Sequence, residues 1–150
     1  MSRTIVVQNG DWYTDSRGVF EYTSTSRQKC AQDTACVLLQ KLHPDGRWGS
    51  ELADIDKGKA LTHPTGHKSV IQLRVAEAVD RLRVLQQQDL YADDEEKIAK
   101  FTVTVEKYPS QSLSYFYLLE ASTIAGTTTP IKAAYQINLE QKRDPNLSQE

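Results

Sequence analysis

Residues 68–88 read KSVIQLRVAEAVDRLRVLQQQ, and this stretch decides the fold. Its apolar side chains recur in steps of three and four residues, and charged and amide side chains occupy most of the remaining surface. This spacing predicts an amphipathic helix that packs one continuous stripe on a core. The stripe consists of Ile71, Val75, Ala78, Val79, Leu82 and Leu85.

After this helix the hydrophobic period changes from 3.6 to 2, which predicts strands with one face toward the core. Turn-forming residues at 108–112 and 126–130 separate three such alternating segments. Strands joined by short turns form an antiparallel meander. The three segments run from Phe101 to Val105, from Leu113 to Ala121 and from Ile131 to Leu139.

Before the long helix, the sequence predicts a shorter helix from Ser26, acting as N-cap, to about Leu42. The Pro44-Asp45-Gly46 segment stops it, and residues 47–66 are expected to form a long irregular loop. Ile5 to Val7 predicts an extended N-terminal segment. The fold class is therefore α+β, with two main helices packed on a C-terminal antiparallel β meander.

The 150 residues fit a single domain, with a core over residues 9–140 and a frayed tail over 141–150. Eighteen Lys and Arg against 20 Asp and Glu give a net charge of −2. This balance argues against nucleic acid and anionic membranes as partners, because both are bound through a concentrated basic face. The N-terminus lacks the apolar run of a secretory signal.

Cys30 and Cys36 lie six residues apart in the first predicted helix. Six residues turn a helix by about 600°, so the two thiols point about 120° apart and are expected to stay unpaired. This cysteine usage is typical of a protein from a reducing compartment.

The sequence predicts no catalytic residue, no cofactor and no metal site. His63 and His67 are four residues apart, but Pro64 and Gly66 break the helix that this ligand spacing needs. Three acids in the long loop are the other candidates, and their polar surroundings favour solvated carboxylates over a catalytic pair. They are Glu51, Asp54 and Asp56.

Both tryptophans lie beside glycines, Trp12 after Gly10-Asp11 and Trp48 between Arg47 and Gly49. Ordinary loop packing explains such segments. Because Trp and Arg are enriched at interface hot spots, a contact surface is the functional alternative. Trp12, Arg47 and Trp48 are therefore interface candidates.

The order of these features resembles the small baseplate wedge proteins of contractile phage tails, also called sheath initiators, a family sometimes labelled lysozyme-like. The resemblance covers about residues 9 to 140. It rests on Gly10-Asp11-Trp12, the Cys30/Leu38-Leu39/Leu42 helix, the segment from His43 to Leu52, the long helix, and Ile98-x-x-Phe101-x-Val103-x-Val105.

The resemblance implies a structural protein without enzymatic activity, present in six copies around the tail axis. Its expected place is the baseplate of the virion, assembled in the bacterial cytoplasm. The implied partners are the tail sheath protein, the baseplate wedge proteins and a tube or hub protein. The implied role is to link the wedge to the first ring of sheath and to nucleate sheath assembly by β-strand addition.

Two sets of contact residues follow. The last strand of a meander is a candidate sheet edge, so the sheath-binding candidates are Ile131, Lys132, Tyr135, Gln136 and Asn138. Members of the family often carry Glu-Pro-Arg before the first long strand, where this chain has an acidic segment. The wedge-binding candidates at that position are Glu95, Glu96 and Lys97.

Two alternative functions remain open at this point. One is another small ring-forming tail protein, a terminator or a connector. The other is a cell-wall hydrolase, as the family label suggests, in which Glu51 and Asp54 would carry the chemistry.

Overall fold

A computed structural model describes residues 5–8, 11–12, 14, 16–19, 22–23, 25–54, 66–107, 114–126 and 129–138. The two main helices are α1, Ser26–Leu39, and α2, His67–Gln88. The strands are β1, Val7–Gln8; β2, Asp11–Trp12; β3, Ile98–Lys107; β4, Ser114–Thr123; and β5, Ile131–Asn138. Short 3-10 turns occupy Glu51–Asp54 and Asp94–Glu96. The fold class is α+β, as the sequence predicts.

The C-terminal strands form an antiparallel meander in the order β3-β4-β5. Val103 lies opposite Leu119, which lies opposite Ala133, and a bulge at the start of β3 shifts the register after Ile98. Along β5 the residues alternate between a core-facing and an exposed set, as the period of two predicts.

The stripe of α2 forms the centre of the core. Ile71, Val75, Ala78, Val79 and Leu82 are buried and belong to one apolar cluster. Leu85, the last residue of the stripe, is only half-buried. α1 contributes Cys30, Val37 and Leu38 to the cluster, and the sheet adds Tyr115, Tyr117, Leu119, Ala121 and Ile131.

Both predicted ends of α1 are corrected by the structure. Its N-cap is Thr25, whose Oγ1 accepts from the Gln28 N–H at 3.0 Å, while the hydroxyl of Ser26 donates to Asp93 at 2.6 Å. The helix ends at Leu39 and not near Leu42, because Gln40 is extended and its N–H closes the last turn on Cys36.

The described part of the predicted loop forms no long helix or strand, in keeping with the prediction, but the segment from Gln40 to Ser50 is closed by backbone hydrogen bonds. Lys41 pairs with Ser50 in an isolated parallel bridge, and the Ser50 N–H donates to Gln40 at 2.8 Å. Within it, the His43 N–H donates to the carbonyl of Trp48 at 2.8 Å. Residues 55–65, the rest of the predicted loop, lie outside the described residues.

The N-terminal segment is extended, as expected. Ile5 pairs with Tyr22 in an isolated bridge, and Val6 is buried. β1 pairs with β2 in antiparallel fashion, with Gln8 opposite Asp11. The predicted frayed tail, residues 141–150, lies outside the described residues.

Candidate functional site

The outer edge of β3 is covered by side chains of α2. Arg83 donates to the carbonyl of Ala99 at 2.9 Å, and Gln86 accepts from the Ile98 N–H at 2.9 Å. Gln72 reaches the carbonyl of Val103 at 3.5 Å. The helix therefore satisfies backbone groups that an edge strand would otherwise offer to another chain.

The sheet register then fixes which groups of β5 point away from the sheet. The Ile124 N–H donates to the carbonyl of Lys97 at 2.9 Å, so the even-numbered residues of β4 turn their backbone groups toward β3. Because these groups alternate along an antiparallel strand, the odd-numbered residues of β4 bond to β5. On β5 the outward groups accordingly belong to Lys132, Ala134 and Gln136.

β5 is the open edge of this sheet: within the described ranges, no other strand pairs with it. The side chains of Lys132, Ala134 and Gln136 are exposed. Its entry is fixed, because Arg27 of α1 donates to the carbonyls of Thr129 and Pro130 at 2.6 and 3.1 Å. An edge strand with several outward backbone groups is a template for an added strand.

The structure divides the five sheath-binding candidates. Lys132 and Gln136 are exposed at the edge, and Tyr135 is half-buried with its ring 5.9 Å from that of Tyr117. Burial raises the pKa of the Tyr135 hydroxyl. The prediction is wrong for Ile131, which is buried in the core cluster because β5 packs against α1. Its side chain is therefore inaccessible to the side chains of a partner. Asn138 ends β5, and its side chain lies outside the described part of the chain.

Among the wedge-binding candidates, the prediction is also wrong for Glu96. Its side chain is only 1% exposed, because the turn Asp94–Glu96 packs against α1. Glu95 remains exposed and Lys97 is half-buried. Of the two carboxylates among the wedge-binding candidates, only that of Glu95 is therefore accessible to a partner.

Glu96 belongs instead to an electrostatic cluster around Lys29 of α1. The Lys29 amine lies 2.8 Å from the carboxylate of Asp33. Burial works against the charged amine, but the hydrogen bond and charge of Asp33 together with the charges of Glu96 and Asp89 outweigh it, so the pKa of Lys29 is raised. The pKa of Asp33 is also raised, here because of burial, although the hydrogen bond and charge of Lys29 act to lower it.

Replacing Lys29 with methionine is expected to lower the free energy of unfolding by about 2 kcal/mol, because carboxylates would be left in a partly buried site without their cation. Asp33→Asn should cost less, under about 1 kcal/mol, since it also removes the cost of burying a charge. Denaturant unfolding at neutral pH measures both changes.

The pH dependence of unfolding provides a second check on this pair. The pKa of the Lys29 amine is higher in the folded protein than its unfolded value of 10.5. The contribution of the charged amine to the free energy of unfolding is therefore fully present below pH 10.5 and is lost as the pH rises through the folded pKa. Equal losses of unfolding free energy for Lys29→Met and Asp33→Asn would contradict the prediction that the cation matters more to stability than its carboxylate partner.

Two of the three interface candidates, Arg47 and Trp48, lie in the segment after α1. Arg47 is exposed and lines an open pocket of about 300 Å³. Trp48 is half-buried against the core cluster, and its indole N–H donates to the amide oxygen of Gln40. Packing therefore explains Trp48, while Arg47 remains an accessible group. Trp12 lies in β2, and its side chain is outside the described part of the chain.

The Glu51 side chain is 40% exposed, in keeping with a solvated acid, and it also forms surface ion pairs. Its carboxylate lies 3.0 Å from Arg74 and 4.0 Å from Arg81, both on α2. These ion pairs fasten the turn Glu51–Asp54 to the long helix. The Asp54 side chain and all of Asp56 lie outside the described residues.

The histidines and cysteines occupy separate places. His67 begins α2 and its Nδ1 lies 3.1 Å from the hydroxyl of Tyr115, whereas His63 lies outside the described residues. The thiols of Cys30 and Cys36 are free, as the helical spacing predicts. Burial raises the pKa of Cys30 to about 11, which leaves it a weak nucleophile at neutral pH.

Comparison of the chain with known protein families, curated proteins and solved structures found no match. In the part of the chain that the structure describes, no group of three or more His, Cys, Asp or Glu side chains is placed to hold a metal ion. No helix among the described residues is long and apolar enough to cross a membrane.

Sequence reasoning missed the residues that distinguish the two sheet edges. Gln72, Arg83 and Gln86 appear in the sequence only as polar members of an amphipathic helix. A weak signal exists, because residues 72, 83 and 86 lie within about 60° of one another on a helical projection, on one flank of the apolar stripe. That flank predicts a polar contact, but it does not identify the strand contacted.

Proposed function

We propose that the protein is an assembly protein that binds an extended segment of a partner as an additional strand on β5. The observation that carries this proposal is the asymmetry of the sheet. α2 side chains occupy outward backbone groups of β3, whereas Lys132, Ala134 and Gln136 direct theirs away from the sheet. Main-chain hydrogen bonds would supply affinity, and alternate side chains would set the register.

The resemblance to sheath initiators supplies the partner in this proposal. An arm of the tail sheath protein adds to β5, and the chain thereby joins the first sheath ring to the baseplate wedge in the virion. Six copies around the tail axis would present six such edges. The wedge contact uses the exposed Glu95 and its neighbours in the turn before β3.

Gln136→Pro is expected to weaken binding of the sheath protein by about tenfold or more, since proline removes an outward N–H and its ring blocks the approaching strand. The fold should be retained, because the backbone groups of Gln136 point away from β4. Sheath polymerisation seeded by the purified protein measures the effect. Gln136→Ala, which keeps the N–H, is the matched control and should nucleate normally.

Full-length sheaths started by a folded Gln136→Pro protein would contradict pairing of the added strand at Gln136. The same experiment on Asn138→Pro tests the end of the strand. Normal nucleation by both proline variants would remove β5 from consideration as the binding edge.

A further inference from the structure

Two large apolar side chains are held in solvent just after α2. Leu90 is 91% exposed and Tyr91 is 82% exposed. The turn that carries them is ordered: the Tyr91 N–H donates to the carboxylate of Asp89 at 2.9 Å, and the Asp89 N–H donates to Gln86 at 3.3 Å. We call this pair, Leu90 and Tyr91, the knob. Adjacent exposed side chains of this size form an apolar patch, and apolar patches are typical of contact surfaces.

An open pocket lies beside the knob, against the last turns of α2. Its volume is about 300 Å³, the scale of one or two large side chains. Val84 and Leu85 give it apolar walls, and Arg81 is held at its side by a bond of 3.1 Å to the carbonyl of Gly49. The remaining lining residues are Gly46, Arg47 and Gln88.

Charge makes the knob and the pocket complementary. Asp94 and Glu95 are exposed just beyond the knob, and Asp89 precedes it. The pocket is lined by the exposed Arg47 and by Arg81. Arg81 is already paired with Glu51 and Glu77, so Arg47 supplies the exposed guanidinium of the pocket. An apolar group flanked by carboxylates therefore fits an apolar pocket that carries this exposed cation. The same carboxylates would repel an anionic membrane surface.

We propose that the knob of one copy of this chain inserts into the pocket of a second copy. Knob and pocket adjoin at the same end of α2, with Gln88 in the pocket lining and Leu90 in the knob. A two-fold axis between them lets each copy donate its knob and receive the other, which is an isologous interface. The area is small, so the dimer is weak and depends on concentration. This contact is independent of strand addition at β5.

Sedimentation velocity of the purified full chain, over a concentration series from micromolar to millimolar, tests the contact. The wild-type protein is expected to shift from monomer to dimer. Leu90→Ser with Tyr91→Ser should weaken the association about tenfold or more, and so should Val84→Glu, which places a carboxylate in the pocket. Leu73→Ser, an exposed leucine elsewhere on α2, and Lys100→Glu on β3 are the matched controls and should dimerise normally.

A mixture of the knob variant and the Val84→Glu variant gives the sharpest result. Each heterodimer retains one intact knob and one intact pocket, so the mixture should associate more strongly than either variant alone. A monomeric wild-type protein at every concentration would overturn the proposal. So would normal dimerisation of either variant, or a mixture that associates no better than its components. The Gln136→Pro protein should dimerise like the wild type, which separates this contact from the proposed function.

Discussion

Truncating Leu82 to alanine is expected to lower the free energy of unfolding by about 3 kcal/mol, within the range of about 2–5 kcal/mol for buried leucines. Leu82 is 2% exposed and lies in the cluster where α2 meets α1 and the sheet. Deleting its branched end loses the transfer free energy of buried methyl groups and leaves a cavity that close-packed neighbours fill only partly. Urea or guanidinium unfolding, monitored by circular dichroism, measures the loss.

Leu73→Ala is the matched control, because it makes the same deletion in the same helix. Leu73 is 47% exposed, so its truncation should change stability by less than about 0.5 kcal/mol. Both substitutions have the same effect on helix propensity, so the difference between them isolates burial. Similar losses for the two variants would mean that the stripe of α2 does not form the core seam.

The sequence predicts most of this seam because its signal is local and repeated. Ile71, Val75, Val79 and Leu82 recur at helical spacing, and each one is buried as the spacing predicts. The alternation along β5 likewise separates its core-facing and exposed residues correctly. A period summed over several turns or several pleats averages out the exceptions at single positions.

Single contacts between distant elements carry no such period. Thr25 rather than Ser26 caps α1, because Ser26 is drawn to Asp93, which is 67 residues away. Glu96 reads as one more charge in an acidic run, yet it is buried against α1. Burial of a single charge depends on which element packs over it, and spacing along the chain does not encode that.

At the candidate site, too, the sequence predicts the periodic features but not the single contacts between distant elements. Strand alternation correctly places Lys132 and Gln136 on the exposed side of the last strand. Which edge of the sheet is open depends on three polar side chains of α2, including Arg83, that bond to the backbone of β3. Reaching that conclusion requires the distance and register between helix and strand, which only the folded chain provides.

Gly49→Ala is expected to cost about 4 kcal/mol, the other large effect in this fold. Gly49 has φ of 100°, a region that side chains with a Cβ rarely adopt. A Cβ at this position would collide with the carbonyl group of Lys41 and lie 2.8 Å from the Cα of Leu42. Backbone atoms cannot yield as a flexible side chain would, so the segment after α1 must open.

Opening that segment would spread the loss to its neighbours. The bond of 2.8 Å from the Ser50 N–H to Gln40 and the bond of 3.1 Å from Arg81 to the Gly49 carbonyl both depend on the close approach. Trp48 and Leu52, on either side of Gly49 in the chain, would lose their packing against the core. Thermal and denaturant unfolding should therefore shift together, and the indole environment of Trp48 should become more polar in its fluorescence.

Gly46→Ala separates backbone strain from the close approach. Gly46 also has a left-handed φ, of 74°, but a Cβ added there would meet no atom within 4 Å. Its substitution should therefore cost only the conformational penalty of about 1 kcal/mol. The difference between the two variants, about 3 kcal/mol, reports the contact of Gly49 with the Lys41 backbone. Equal losses at the two positions would mean that the 41–50 segment yields freely, and that its position against α2 is set by the ion pairs of Glu51 instead.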